Sequence, residues 1–196
     1  MDPELHQRIR TFSSNIKTLL HPEFLFPQTN RIQSEEELKE LQQKFYDSPN
    51  PMFESGISSA VLATQVMRET FGIEPKAAFG YSMGEVSMLF SLGVWGSMDP
   101  MSKVLNASPL FLERIAGPMN SVREHWKLKD DEYQNEALWS WHTLRVEPEK
   151  VEKALYQRDR VYLVLINTPK EVVIAGEPRT CKSLIDELQC ESVWYA

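Results

Sequence analysis

An α/β fold in two successive parts is what this sequence predicts, and three observations predict it. A short apolar run, Lys76-Ala77-Ala78-Phe79, leads through Gly80-Tyr81-Ser82-Met83-Gly84 into a helical stretch, which reads as strand, sharp turn and helix. From Ala137 onward, β-rich and helix-spaced segments alternate in the order β-α-β-β-α-β, that of a ferredoxin-like unit. The 196 residues, 42% hydrophobic and 25% charged, supply a core for one substantial domain or for one domain with a small inserted subdomain. The boundary is drawn between residues 1–136 and residues 137–196.

The first part is read as mostly helical around the turn. Leu5, Ile9, Phe12, Ile16, Leu19 and Leu20 recur at helical spacing, so Glu4–Leu20 is expected as one helix, with Pro3 in its first turn. Pro22 and Pro27 break the chain into a loop. Ser34 followed by Glu37 is a capping-box pattern opening a second helix whose charge run is a solvated face. Ser48-Pro49-Asn50-Pro51 marks another break, after which Ile57, Ala60, Val61, Thr64, Met67 and Phe71 share one helical face. The helix beginning at the Ser82 corner runs to Gly93. Pro109 to Trp126 is helical in part, interrupted at Gly117-Pro118, and Lys127–Glu136 is a charged connector.

The second part resolves into discrete elements. Strands are expected within 138–146, 161–166, 172–175 and 192–195, helices over 148–156 and 178–188, and a turn over 167–170.

Bulk properties narrow the function classes. A formal net charge of −7 leaves no basic surplus for neutralising phosphates, which argues against a nucleic-acid binder and against docking on anionic lipid. Cys181 and Cys190 make neither a disulfide framework nor a zinc spacing, and read as free thiols in a reducing compartment. No metal ligand set or bound cofactor is expected. No apolar run approaches the roughly 20 residues of a membrane span, and the polar N-terminus lacks the order of a signal peptide. A cytoplasmic location is the resulting expectation.

The chemistry concentrates at Ser82. A serine on a strand-to-helix corner is held in a strained backbone that thrusts its hydroxyl outward. Glycines two before and two after it let neighbouring backbone approach closely. The N–H of Met83 then points into the same space and can supply half of an oxyanion hole, aided by the positive end of the following helix. The alternative is a glycine-lined turn with a surface serine. Met83 and Met88 flank the corner as core filling or as a soft wall for an acyl chain. Glu85 sits where a first-turn acid complements the helix dipole.

Gly80-Tyr81-Ser82-Met83-Gly84-Glu85 resembles the GHSxGE box of malonyl-CoA:acyl-carrier-protein transacylases and of the acyltransferase domains of polyketide and fatty acid synthases. Ile166-Asn167-Thr168-Pro169 and Val172-Val173-Ile174-Ala175-Gly176 are similar to the NxP stretch and the strand after it in their small subdomain. Tyr81 in place of His, Gly93-Val94-Trp95, Ser108-Pro109-Leu110-Phe111 and Gly117-Pro118 resemble more narrowly the acyltransferase subunit of polyunsaturated fatty acid synthases. The resemblance runs from about residue 50 to the C-terminus. It implies an α/β-hydrolase-like large subdomain, here partial, carrying the inserted ferredoxin-like one. It also implies a ping-pong reaction in which Ser82 takes an acyl group from acyl-CoA and passes it to the phosphopantetheine thiol of an acyl carrier protein. Other synthase domains or subunits are implied partners.

Some of that pattern is not matched. Ser82 needs a base, and the family's histidine follows the insert; His6, His21, His125 and His142 do not match its position. Gln28, in Phe26-Pro27-Gln28-Thr29, lacks the glycines of the family's oxyanion loop. The expectation is therefore an internal piece of a larger protein, weak or inactive by itself. Arg114 is the candidate partner for a substrate carboxylate, with Arg123 behind it; either is alternatively a surface arginine paired with Glu113 or Glu124. Tyr81 forms the wall beside the nucleophile, and departs from the residue usual in malonyl-selective members. Two further readings stay open, a serine esterase or thioesterase using the same corner, and a catalytically incomplete scaffold domain of a synthase.

Overall fold

A computed structural model describes residues 3–25, 34–129, 131–133 and 136–195; Pro27 and Gln28 lie outside them. Its contacts divide the chain into two compact units, Met1–Asn120 and Ser121–Ala196. The first holds α1 (Pro3–Phe12), α2 (Ile16–Leu20), α3 (Pro22–Leu25), α4 (Glu35–Tyr46), α5 (Pro49–Glu69), α6 (Met83–Ser91), α7 (Asp99–Ala107) and a π-helical turn, Leu110–Arg114.

The helix expected over Glu4–Leu20 is split at Ser13-Ser14, and Asp99 is the reason. Ser13 Oγ and Ser14 Oγ each donate to its carboxylate at 2.7 Å, and Ser14 N–H donates at 3.0 Å. Those bonds take the place of helical ones, and local apolar spacing could not foretell a partner so far along the chain. Burial alone pushes the Asp99 carboxyl up, but the Ser13 and Ser14 bonds outweigh it and hold the group below its ordinary value. Phe12 then packs with Leu19, Ile57, Val61, Phe90 and Met98 in the core of this unit.

Pro49 and Pro51 stand within the first turn of α5, where a missing N–H costs nothing, so the expected break is a helix start. The capping box forms as expected: Glu37 N–H donates to Ser34 Oγ at 3.2 Å, and Ser34 N–H to Glu37 Oε2 at 2.9 Å. On the apolar face of α5 lies Glu54, only 1% exposed. Its carboxylate is met by His21 Nε2 at 2.5 Å, by Asn106 Nδ2 at 2.7 Å and by the Ser102 hydroxyl. The other His21 nitrogen faces Glu23 at 3.1 Å.

Lys76–Phe79, expected as a strand, forms none: a bend lies at Lys76, and residues 77–79 have no regular structure. A strand exists only by hydrogen bonding to a neighbour, and the first unit offers none among the described residues. The sheet of the expected large subdomain is thus not formed there.

The second unit holds α8 (Asn120–Trp126), β1 (Ser140–Leu144), α9 (Pro148–Leu155), β2 (Val161–Thr168), β3 (Glu171–Gly176), α10 (Pro178–Leu188) and β4 (Ser192–Tyr195). The element order from β1 is the expected β-α-β-β-α-β. The strands form one antiparallel sheet ordered β2-β3-β1-β4. Leu144, Val172 and Ile174 meet Val151 of α9 with Cys181 and Leu184 of α10 in one buried cluster.

On β1 and β2, Trp141 and Tyr162 both stand opposite Ala175 of β3. Trp139 stacks on Tyr162 and on Trp126, with ring centroids 5.9 and 5.7 Å apart. Trp126 Nε1–H donates to the Tyr162 hydroxyl at 2.9 Å, and the Arg160 guanidinium lies over the Trp126 ring. This stack ties α8 to the sheet, which places the contact boundary at 120/121 where the sequence pattern had suggested 136/137.

Two outcomes follow. Leaving a buried hydrogen-bonding group without its partner costs about 1–3 kcal/mol, whereas an exposed helix pair such as Glu35–Lys39 contributes about 0.3–0.5 kcal/mol. His21→Ala should therefore lower unfolding free energy in urea far more than Lys39→Ala, read by helical circular dichroism. His142 of β1 is half-buried, and burial pushes its imidazole below the ordinary value of 6.5. The unfolded chain then takes up that proton first as pH falls, so this contribution to stability is complete above pH 6.5 and is lost progressively below it. Tryptophan-fluorescence melts at neutral and mildly acidic pH should show that loss, and His142→Gln should abolish it.

Candidate active site

Backbone without regular structure reaches Gly80 and Tyr81, turns at Ser82, and enters α6 at Met83. Gly84 N–H donates to Tyr81 O at 2.9 Å and Glu85 N–H to Ser82 O at 3.0 Å, so the helix ladder starts on the corner itself. Ser82 holds φ 53° and ψ −125°, a region L-residues rarely occupy and which costs about 1–3 kcal/mol. Its side chain is exposed. This is the strained, outward-facing serine that the sequence pattern calls for.

The two glycines differ in their roles. A Cβ on Gly80 would stand 2.2 Å from the carbonyl carbon and oxygen of Gly84 and 2.3 Å from Glu85 N. No side chain fits there. Around Gly84, by contrast, a Cβ would meet nothing within 4 Å, so close approach is needed at one glycine and not at both.

Met83 occupies the first position of α6, where the backbone N–H has no helical carbonyl to reach. That donor belongs to the residue next to Ser82 in sequence. The Met83 side chain turns inward, packing against the first unit's core. A Cβ on Gly56 of α5 would lie 2.9 Å from Met83 Cε, so a glycine inside a helix marks the seat of this methionine. Core filling is thus its role. Sequence periodicity missed both the Gly56 seat and the Glu54 network. A glycine and a glutamate on the apolar face of one helix were the signals for them.

The remaining candidates are dispersed. Tyr81 is 73% exposed beside Ser82, and Glu85 is exposed in the first turn of α6. Arg114 closes the π-helical turn of the first unit and is half-buried. Arg123 belongs to the second unit, where its Nη1 donates to Glu132 O at 3.0 Å. Among the described residues no histidine hydrogen-bonds the Ser82 hydroxyl. His21 is engaged by Glu54 and Glu23, His142 Nε2 lies 3.1 Å from Ser140 Oγ, and His6 and His125 are exposed.

Comparison with known proteins places this geometry in context. No protein-family model matches the chain. It is 34% identical over 161 residues to a polyunsaturated fatty acid synthase subunit of Thraustochytrium sp., a match covering 81% of this chain and 8% of that protein. Among solved structures it superposes on the acyltransferase domain from module 8 of the salinomycin polyketide synthase, with TM-score 0.55 and 14% identity over 99% of this chain and 40% of that one. A structure of a type II polyketide synthase acyl-carrier protein in complex with its malonyl-transacylase matches with TM-score 0.54 and 15% identity, over 100% and 55%. An acyl carrier protein S-malonyltransferase from Vibrio cholerae matches with TM-score 0.50 and 16% identity, over 97% and 57%. At such identities the structural likeness speaks to fold.

The glycines set a direct test. Gly80→Ala should destabilise the first unit by at least about 1–3 kcal/mol through overpacking against backbone. Gly84→Ala should be neutral or stabilising by up to about 1 kcal/mol, as alanine is in a helix. Urea unfolding of both variants against the parent chain decides it; equal costs would refute this geometry.

Proposed function

This chain is similar in sequence to a polyunsaturated fatty acid synthase subunit and shares the fold of synthase acyltransferase domains; on that premise we propose that it carries the nucleophile of an acyl-CoA:acyl-carrier-protein acyltransferase. The observation that carries the reading is Ser82 at φ 53°, ψ −125°, projecting from the corner with the Met83 N–H beside it. Strain of this kind persists only where the surrounding structure holds it, and nucleophile elbows are where it serves chemistry.

In the proposed reaction the Ser82 hydroxyl attacks the thioester carbon of an acyl-CoA. Its proton passes to a base, and the carbonyl oxygen gains negative charge that the Met83 N–H stabilises. Collapse of this intermediate breaks the C–S bond, and the CoA thiolate leaves with the proton. The acyl group now rests on Ser82 as an ester. A carrier-protein thiol attacks that ester by the same steps in reverse, regenerating the serine. The base and a second oxyanion donor are assigned to polypeptide other than the residues described, since Ser82 has no histidine partner among them. Arg114 is proposed for a substrate carboxylate and Tyr81 for the wall beside the acyl group.

The second unit is proposed to be the ferredoxin-like subdomain of such a domain. Its element order and sheet order support that reading. A cytoplasmic location is proposed with it; no helix among the described residues is long and apolar enough to cross a membrane.

The test is mass spectrometry after incubation with malonyl-CoA and with a longer saturated acyl-CoA, with and without a phosphopantetheinylated carrier protein. An acyl adduct on Ser82 that is absent from Ser82→Ala and is discharged to the carrier thiol is the expected result. Loss of the adduct to water faster than to carrier would make the protein a hydrolase. No adduct, even in the presence of the rest of its synthase, would make it a scaffold.

A further inference from the structure

The first unit holds a cavity of about 200 Å3 at the far end of α6 from Ser82, between α1, α5, α6 and the turn after it. Its inner wall is apolar. Phe12, Val61 and Phe90 are buried there, and Phe90 meets both Phe12 and Trp95 edge-on, with ring centroids 5.4 Å apart in each pair. Trp95 is unlike its neighbours: it is 42% exposed, and among the described residues its indole N–H makes no hydrogen bond.

Among the described residues that line this hollow, Arg8 alone carries a charge. Its Nε lies 2.6 Å from a carboxylate oxygen of Glu69, whose side chain is mostly buried and outside the lining. That ion pair orients the guanidinium, and the two terminal nitrogens of Arg8 have no partner among the described residues. In a chain of net charge −7, a hollow lined by one cation and no carboxylate is complementary to an anion. A free guanidinium edge matches the two oxygens of a carboxylate. The rings beside it suit a flat apolar body, which they contact by stacking or edge-on.

Size narrows the class further. A cavity of roughly 150 Å3 is enough for benzene, so one ring with its carboxylate fits here, whereas drug-sized ligands need about 300–1,000 Å3. An acyl-CoA or a phosphopantetheine arm is therefore too large for this hollow, which is separate from the proposed acyl site.

We propose that the cavity is a binding site for a small aromatic carboxylate, with Arg8 taking the carboxylate and Phe90 and Trp95 the ring. The proposal goes beyond the acyltransferase reading and does not rest on it.

The probe is benzoate, titrated into the 196-residue chain labelled with fluorotryptophan and followed by fluorine NMR. The Trp95 resonance is identified by its absence from Trp95→Phe. Benzoate should shift it saturably, with a midpoint on the order of 1 mM, and leave the other tryptophan resonances in place. Benzamide has the same size without the charge and should bind at least about tenfold more weakly. Arg8→Gln should lower benzoate to the level of benzamide and leave benzamide unchanged. Where that variant loses both probes through misfolding, the ratio of benzoate to benzamide binding in the parent chain decides alone. Equal binding of the two probes, movement of all the tryptophans together, or a Trp95 resonance unmoved well above the expected midpoint would overturn the proposal.

Discussion

The corner at Ser82 closes only because Gly80 has no side chain. Backbone entering the turn and backbone leaving it touch at Gly80 and Gly84–Glu85, with no room for a carbon atom between them. This contact holds Ser82 in a conformation that an L-residue adopts at a cost of about 1–3 kcal/mol. Once the corner is closed, the outward hydroxyl, the adjoining Met83 N–H and the axis of α6 are all set together. Loosening the contact would let the serine relax into ordinary backbone and lose its aim.

Such strain must be held from elsewhere, and α5 holds it. Gly56 seats the Met83 side chain at the start of α6. Near the other end, Gln65 Nε2 and Arg68 Nη1 both donate to Ser91 O at 3.3 Å. Phe90 packs edge-on against Phe12 between them. The helix that opens at Met83 is therefore fixed to α5 along its length. Glu54 in turn fixes α5 to α7 through Ser102 and Asn106, and to the residue after α2 through His21. A buried glutamate on α5 thus contributes to the position of the Ser82 corner.

What was legible in the sequence follows from how local each feature is. The second unit was read almost residue by residue, because its strands are short β-branched runs bounded by turn residues and α10 is marked by Pro178 and a clear apolar stripe. The elbow was legible because its constraint spans five residues. The split after Phe12 was not, since Asp99, which causes it, is remote in sequence. Nor was the place of α8, which depends on Trp126 finding Trp139 and Tyr162. Lys76–Phe79 has the composition of a strand, and pairing is the one property composition cannot supply. Gly84 was read as a close contact because the motif is symmetric, whereas the backbone crossing is not.

The exposure of the Ser82 corner bears on the choice between the proposed transfer and hydrolysis. An acyl-serine ester is discharged by whichever nucleophile reaches it, and water at an open site competes with a carrier thiol at every turnover. Ser82, Tyr81 and Phe79 all lie open to solvent, so among the described residues nothing excludes water from the ester. Phe79 and Tyr81 are the apolar residues beside Ser82 left exposed. Covering them buries apolar surface, satisfies the open peptide groups and lowers the local dielectric around the Met83 donor, which strengthens its hold on a developing oxyanion. On the proposed reading, selectivity for transfer over hydrolysis would not reside in the corner itself. The corner presents the hydroxyl, and on that reading whatever shields Tyr81 and Phe79 from solvent sets the balance between carrier thiol and water.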